Sequence, residues 1–283
     1  MARITIIMNC PDQKGIIADV TNYIHKNKGN IEYIDQYVDR VNSIFFMRLE
    51  CKINSNVFNE NFKKELNFSI GQKYSIDFNI YENDLKPKMG IMVSKYDHCL
   101  YDILSRHQSG ELNVDIPFII SNHINLKHIA DTFKIPFFHI PIIDKNKKEI
   151  QNEHLKIFKK YSVDFIVLAR YMQIIPTSII KSFQNKIINI HHSFLPAFPG
   201  AKPYHSAYER GVKIIGATSH YVTKELDAGP IIEQDTTQVS HLNSIQDFIG
   251  KGRDLERIVL SKAIKLHIER KVMVYKNKTI IFS

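Results

Sequence analysis

Three cysteines, Cys10, Cys51 and Cys99, are all that this 283-residue sequence holds. Their odd number and scattered positions exclude a disulfide framework and a cysteine-built zinc site, and fit a reduced, cytoplasmic setting. No apolar run reaches the roughly 18 residues that a membrane-crossing helix needs. The opening MARITIIMNCPDQKG turns polar too early for a signal peptide. No membrane partner is expected. No G-x-G-x-x-G follows a strand pattern, so a dinucleotide site has no support. Ser193 lacks the G-x-S-x-G setting of a hydrolase nucleophile. Basic clusters interleaved with aromatics are missing too. The formal charge is +9, but Lys and Arg are dispersed among Asp and Glu, and the densest patch, Lys145–Lys148, is short. No nucleic-acid partner follows from that pattern, although the excess charge favours an acidic small substrate.

What is present reads as two α/β domains. Residues 1–82 alternate as strand 3–9, helix 16–28, strands 31–39 and 43–52, helix 56–66 and strand 74–81. Ile16, Ile17, Val20 and Ile24 share one helical face, and Gly29 suits the helix end. The order βαββαβ is ferredoxin-like. Residues 83–89 are polar, contain Pro87 and read as a linker. From residue 90 to 283 strands alternate with helices, starting with GIMVSK and a helix for which Asp97 is a candidate N-cap. Strands 116–120 and 165–169 are unbroken apolar runs, the mark of a mostly parallel, Rossmann-like sheet covered on both faces. A helix spans 147–161, a long one runs over 244–270, and a hairpin closes the chain across 276–278. Such sheets bind ligands beyond the carboxyl ends of their strands, where Ser94, Asn122, Arg170 and Asn189 fall.

The stretch 187–234 concentrates the chemistry. Strand Ile187-Ile188-Asn189-Ile190 runs into His191 and His192, and a loop with Pro196, Pro199, Gly200 and Pro203 follows. Strand 213–222 then carries His220, and the turn Leu226-Asp227-Ala228-Gly229-Pro230 closes the stretch. Asn189 and His191 are two apart on a strand and face the same way, while His192 points elsewhere. Asn189 suits an oxyanion stabiliser, and His191 is a residue type that can donate a proton. Asp227 either holds His191 charged or takes a proton from water. His192 is either structural or catalytic, and His220 either orients Asp227 or is a core histidine. With no Ser or Cys elbow nearby, the set favours direct attack by an external nucleophile. Neighbouring histidines on an extended chain diverge, so no metal is expected.

Two resemblances sharpen this reading. CPDQKGIIADVTNYIHKNKGNI (residues 10–31) resembles an ACT domain, a regulatory module that binds amino acids near its first loop. That implies an effector such as glycine or methionine near Asp12 and Gly15, and pairing of copies into a dimer or tetramer. INIHHSFLPAF and KPYHSAYERGVKIIGATSHYVTKELDAGPIIEQD resemble the folate-dependent formyltransferase family. The resemblance implies Asn189, His191 and Asp227 as the catalytic trio; His192 and His220 are the candidates for supporting it. It implies a folate site along Met172, Gln173, Ile174, Ile175, Val222 and Leu226; Gln173 stands where relatives often carry Arg. SGELNVDIPFIISNH, ARYMQIIP, GRDLERIVLSKAI and NKTIIF extend the likeness over nearly the whole chain. Members that formylate a phosphorylated amine carry a glycine-rich loop after the first strand of this domain. Here that position reads Ser94-Lys95-Tyr96-Asp97-His98, without a phosphate nest. The expected reaction is hydrolysis of 10-formyltetrahydrofolate to formate and tetrahydrofolate, which balances one-carbon pools and supplies formate for purine biosynthesis. No cofactor is implied. Transfer to an amine is the alternative, and a silent amino-acid sensor the third reading.

Overall fold

The computed structural model describes residues 1–142, 147–197 and 203–283, with the side chains of all of these but Lys147. Pro199 and Gly200 of the predicted loop, and Lys145 of the basic patch, lie outside the described residues. The chain forms two compact units, Met1–Lys86 with Ile281–Ser283, and Pro87–Ile280.

In the first unit β1 (Ala2–Pro11), α1 (Ile16–Lys26), β2 (Asn30–Asp39), β3 (Ile44–Ile53), α2 (Glu60–Leu66), α3 (Gln72–Tyr74) and β4 (Asp77–Glu82) follow in order. The sheet runs β2-β3-β1-β4 and is antiparallel throughout. Alternate residues Ile4, Ile6, Met8 and Cys10 of β1 turn onto α1 and α2, whose Val20, Ile24, Phe62 and Leu66 complete one core. The second helical segment differs from the expectation of 56–66. Asn59 caps it, its Oδ1 accepting from the N–H groups of Asn61 and Phe62 at 2.9 and 3.1 Å, so it starts at Glu60. It then runs on through a π turn, Asn67–Gly71, into α3. Tyr74, expected in a strand, is therefore helical and buried, with its hydroxyl on Asp19 at 2.7 Å.

The second unit contains β5 (Lys88–Val93), α4 (His98–Gln108), β6 (Asp115–Ser121), α5 (Lys127–Thr132), β7 (Phe137–His139), α6 (Lys147–Tyr161), β8 (Phe165–Ala169), α7 (Thr177–Ser182), β9 (Ile187–His191), α8 (Pro203–Arg210), β10 (Ile214–Tyr221), β11 (Ile231–Gln238) and α9 (Ile245–Ile268). The hairpin β12 (Val272–Tyr275) and β13 (Lys278–Ile281) follows. The seven-stranded sheet runs β11-β10-β9-β8-β5-β6-β7. β5 to β9 are parallel, and β10 and β11 add antiparallel strands at one edge. One face packs against α4, α5 and α9 through Val93, Leu100, Val167, Ile188, Val259 and Ile264. The other meets α6 and α7 through Phe118, Ile120, Phe158, Ile166 and Ile179. Strand order reverses between β5 and β8, which opens a crevice at their carboxyl ends.

Sequence patterning did not reveal β11 or α7. β11 reads IIEQDTTQ and is largely half-buried or exposed, so its polar residues mask the strand period. α7 spans six residues, too few to show a helical repeat. Asp97 occupies the N-cap position of α4 but makes no capping hydrogen bond, because its backbone is already helical. Ser244 does cap α9: its Oγ accepts from the Asp247 N–H, and the Asp247 carboxylate accepts in turn from the Ser244 N–H.

Candidate active site

The carboxyl ends of β8 and β9 and the end of β10 border a cleft of about 280 Å³. Sheet register builds its centre. His220 of β10 lies opposite Asn189 of β9 in the antiparallel ladder, so their side chains stand together on one face. His191, two residues after Asn189, adds the next side chain on that face. Asn189, His191, His192, His220 and Asp227 all line the cleft, as do Met172, Gln173, Ile174, Ile175, Val222 and Leu226.

The hydrogen bonds fix orientations. His191 Nδ1 donates to Asp227 Oδ2 at 3.2 Å, leaving its buried Nε2 without a partner among the described residues. His220 Nδ1 lies 3.0 Å from the Tyr221 carbonyl, which only accepts, so that nitrogen carries the proton. His220 Nε2 is then an acceptor for the Asn189 amide N–H at 3.2 Å, and this fixes which way the amide points. His220 Nε2 is also 3.6 Å from Asp227 Oδ1, too far for a hydrogen bond. His220 thus orients Asn189 as well as facing Asp227. His192 turns away from that line. Its ring meets Tyr204 edge-on, with centroids 5.8 Å apart.

Burial pushes the Asp227 carboxyl up, but the attraction to His191 outweighs it and holds the group well below the usual carboxylate range. Asp227 is therefore an anion throughout neutral pH. Its backbone sits in the left-handed region at φ 53°, a strained state for a non-glycine residue that the surrounding turn imposes. Gly229 makes that turn possible. A Cβ there would lie 1.8 Å from the Tyr221 carbonyl oxygen, so only glycine lets the turn close against the end of β10.

The cleft wall at 172–175 is tied to the sheet by one hydroxyl. Ser94 Oγ donates to Asn122 Oδ1 at 2.7 Å and accepts from the Met172 N–H at 3.0 Å. This gives two of the polar residues at strand ends a shared task. Ser193 donates its hydroxyl to the Ala197 carbonyl at 2.7 Å and so is engaged in shaping its own loop. Arg170 and Tyr171 also line the cleft, at the end of β8. Asp12 and Gly15 belong to the first unit, between β1 and α1, where Gly15 takes φ 96° ahead of the helix.

Asparagine, histidine and an ionised aspartate around one cleft, without a serine or cysteine nucleophile among them, form a set able to steer an external nucleophile onto a carbonyl carbon. Comparison with known proteins agrees. The formyl transferase family profile matches residues 87–264 and the ACT domain profile residues 4–57. The formyltetrahydrofolate deformylase of Synechocystis sp. is 47% identical over 279 residues, 99% of this chain and 98% of its own length. That of Bacillus subtilis is 40% identical, with 98% and 93% covered. The crystal structure of a formyltetrahydrofolate deformylase from Pseudomonas syringae pv. tomato superposes with a TM-score of 0.95 at 42% identity, covering all of this chain and 95% of that one. The chain belongs to the formyltetrahydrofolate deformylase family. Its first unit is an ACT domain and its second has the formyltransferase fold.

Proposed function

We propose that this chain hydrolyses 10-formyltetrahydrofolate to formate and tetrahydrofolate, with Asn189, His191 and Asp227 carrying the reaction. The observation that supports this most is the buried, unpartnered Nε2 of His191, held towards the cleft by the bond from Nδ1 to Asp227. The folate lies along Met172–Ile175 and the 222–227 loop. Water attacks the formyl carbon, forming a C–O bond and a tetrahedral oxyanion that Asn189 and His191 stabilise. The C–N10 bond then breaks and N10 takes a proton from His191. One water proton returns to His191 and restores it, and the other is released to solvent as the formic acid ionises to formate. A carboxylate held as low as Asp227 is a weak base, which favours its role as the partner that keeps the imidazolium in place. No metal or other cofactor takes part. His192 and His220 act in support, His220 through Asn189.

Water as acceptor is preferred over an amine because residues 94–98 lack the glycines of a phosphate nest. Formate release from 10-formyltetrahydrofolate by purified protein, without an amine and with a chelator present, tests this. Stoichiometric formate is expected, whereas silence until an amine is added would move the chain to the transferases.

Glycine or methionine is proposed as effector of the ACT domain near Asp12 and Gly15, and a homo-dimer or tetramer as the working state. Calorimetry with each amino acid tests the first, and light scattering of the eluted protein tests the second. A cytoplasmic setting accords with the three buried, free thiols. No helix among the described residues is long and apolar enough to cross a membrane.

A further inference from the structure

A second polar cluster, which the proposed chemistry does not use, lies where α4, α8 and α9 meet beside the strand ends. Its centre is Glu256 of α9, 1% exposed. Oε2 accepts from His98 Nε2 at 2.8 Å and lies 3.3 Å from Arg170 Nε, and Oε1 accepts from the Tyr204 hydroxyl at 2.7 Å. Burial alone would raise the carboxyl, but these three partners outweigh it and keep the group ionised. They come from the start of α4, the end of β8 and α8, so one carboxylate ties three elements together.

One of the three partners lines the cleft, and a second touches a residue that does. Arg170 lines it directly. Its Nε and Nη1 make no hydrogen bond among the described residues, and its guanidinium rests over the Tyr96 ring at 5.1 Å. Charge and ring contact hold Arg170, so its place depends on the Glu256 anion. Tyr204 sets its ring against His192, whose ring lies 5.3 Å from that of His191. The helix is shaped for this contact. Gly252 lies one turn before Glu256, and a Cβ there would lie 2.1 Å from the Tyr204 ring. A glycine inside a 24-residue helix is less favourable than alanine, and the room made for Tyr204 offsets that.

We infer that Glu256 is a positioning residue of the active site: without touching substrate, it holds Arg170 and, through Tyr204, His192, and so keeps His191 in the orientation that turnover needs. This rests on the reading that Asn189, His191 and Asp227 act on the formyl group. Glu256→Gln keeps the shape and removes the charge, and Tyr204→Phe removes only the hydroxyl. Each is expected to lower kcat about tenfold or more with KM within about twofold, as for losses of supporting hydrogen bonds around a site. The double variant should lose less than the product of the two single losses, since both weaken the same hold on Tyr204. Wild-type kcat in a folded Glu256→Gln protein that merely melts earlier would overturn the inference, as would losses that multiply in the double variant. If Glu256→Gln does not unfold cooperatively, Tyr204→Phe and Gly252→Ala carry the test, because both keep the carboxylate; wild-type kcat in both overturns it. Asp227→Asn is assayed alongside. If it turns over normally, the assignment of the trio fails and this inference falls with it; if it is silent while Glu256→Gln is normal, only the positioning role falls.

Discussion

Asp227 gathers two histidines at the cleft while staying ionised, and that sets the pH behaviour of the site. A carboxyl held below its ordinary value contributes stability above the unfolded pKa of about 4 and loses it as acid titrates it. Asp227 therefore contributes no acid limb to the pH–rate profile above about pH 4. Asp227→Asn should lower kcat by about 100-fold or more and keep the fold, with a lower melting temperature at neutral pH because the stability contributed by the anion is lost. Asn189→Ala should cost a similar factor, about 100- to 1,000-fold, through loss of the oxyanion donor. Steady-state kinetics on both variants check this, and near-normal rates in either would remove that residue from the trio. The i, i+2 spacing of Asn189 and His191 was legible in the sequence, because strand geometry alone puts them on one face. The pairing of His220 with Asn189 was not. It depends on the register between β9 and β10, which two separated runs of apolar residues leave open.

Among the elements, the turn after β10 carries Asp227, and its shape depends on Gly229. With a Cβ 1.8 Å from a backbone oxygen, Gly229→Ala cannot be accommodated by a side-chain movement. The turn must shift away from Tyr221 and take Asp227 with it. The expected outcome is a fall in both kcat and folate affinity, with far-UV circular dichroism unchanged; wild-type kinetics would show that the turn adapts. The sequence pointed to this turn through its Gly-Pro pair, yet gave no sign of the close approach behind it. The same limit hid Glu256, which reaches Tyr204 across 52 positions of sequence. On a helical pattern a lone Glu reads as a solvated charge, and only the assembled α4, α8 and α9 make it a buried centre. β11 and α7 escaped for the reasons of polarity and length given above, whereas α6 was legible throughout because Ile150, His154, Ile157 and Phe158 repeat on one buried face.

For the molecule as a whole, two buried histidines outside the cleft set its acid stability. Burial lowers His154 to about 4 and His267 to about 3. Neither ring nitrogen of His154 has a hydrogen-bond partner among the described residues, so protonation there has nothing to offset it. Their folded pKa values lie below the unfolded value of about 6.5, so their stabilising contribution is complete above that pH and is lost as pH falls towards 4 and 3. Each adds a slope of about 1.4 kcal/mol per pH unit in that window. Urea unfolding between pH 7 and pH 5 should show it, and His154→Leu should flatten the slope; equal slopes in the two proteins would exclude His154 as its source.

The central claim is that water takes the formyl group at a site built by Asn189, His191 and Asp227. The most direct measurement is the oxygen-18 content and rate of formate released from 10-formyltetrahydrofolate in labelled water, for the wild type and Asp227→Asn side by side. One solvent oxygen per formate, formed at least about 100-fold more slowly by the variant, is the predicted result. Unlabelled formate, no formate at all, or equal rates from the two proteins would contradict it.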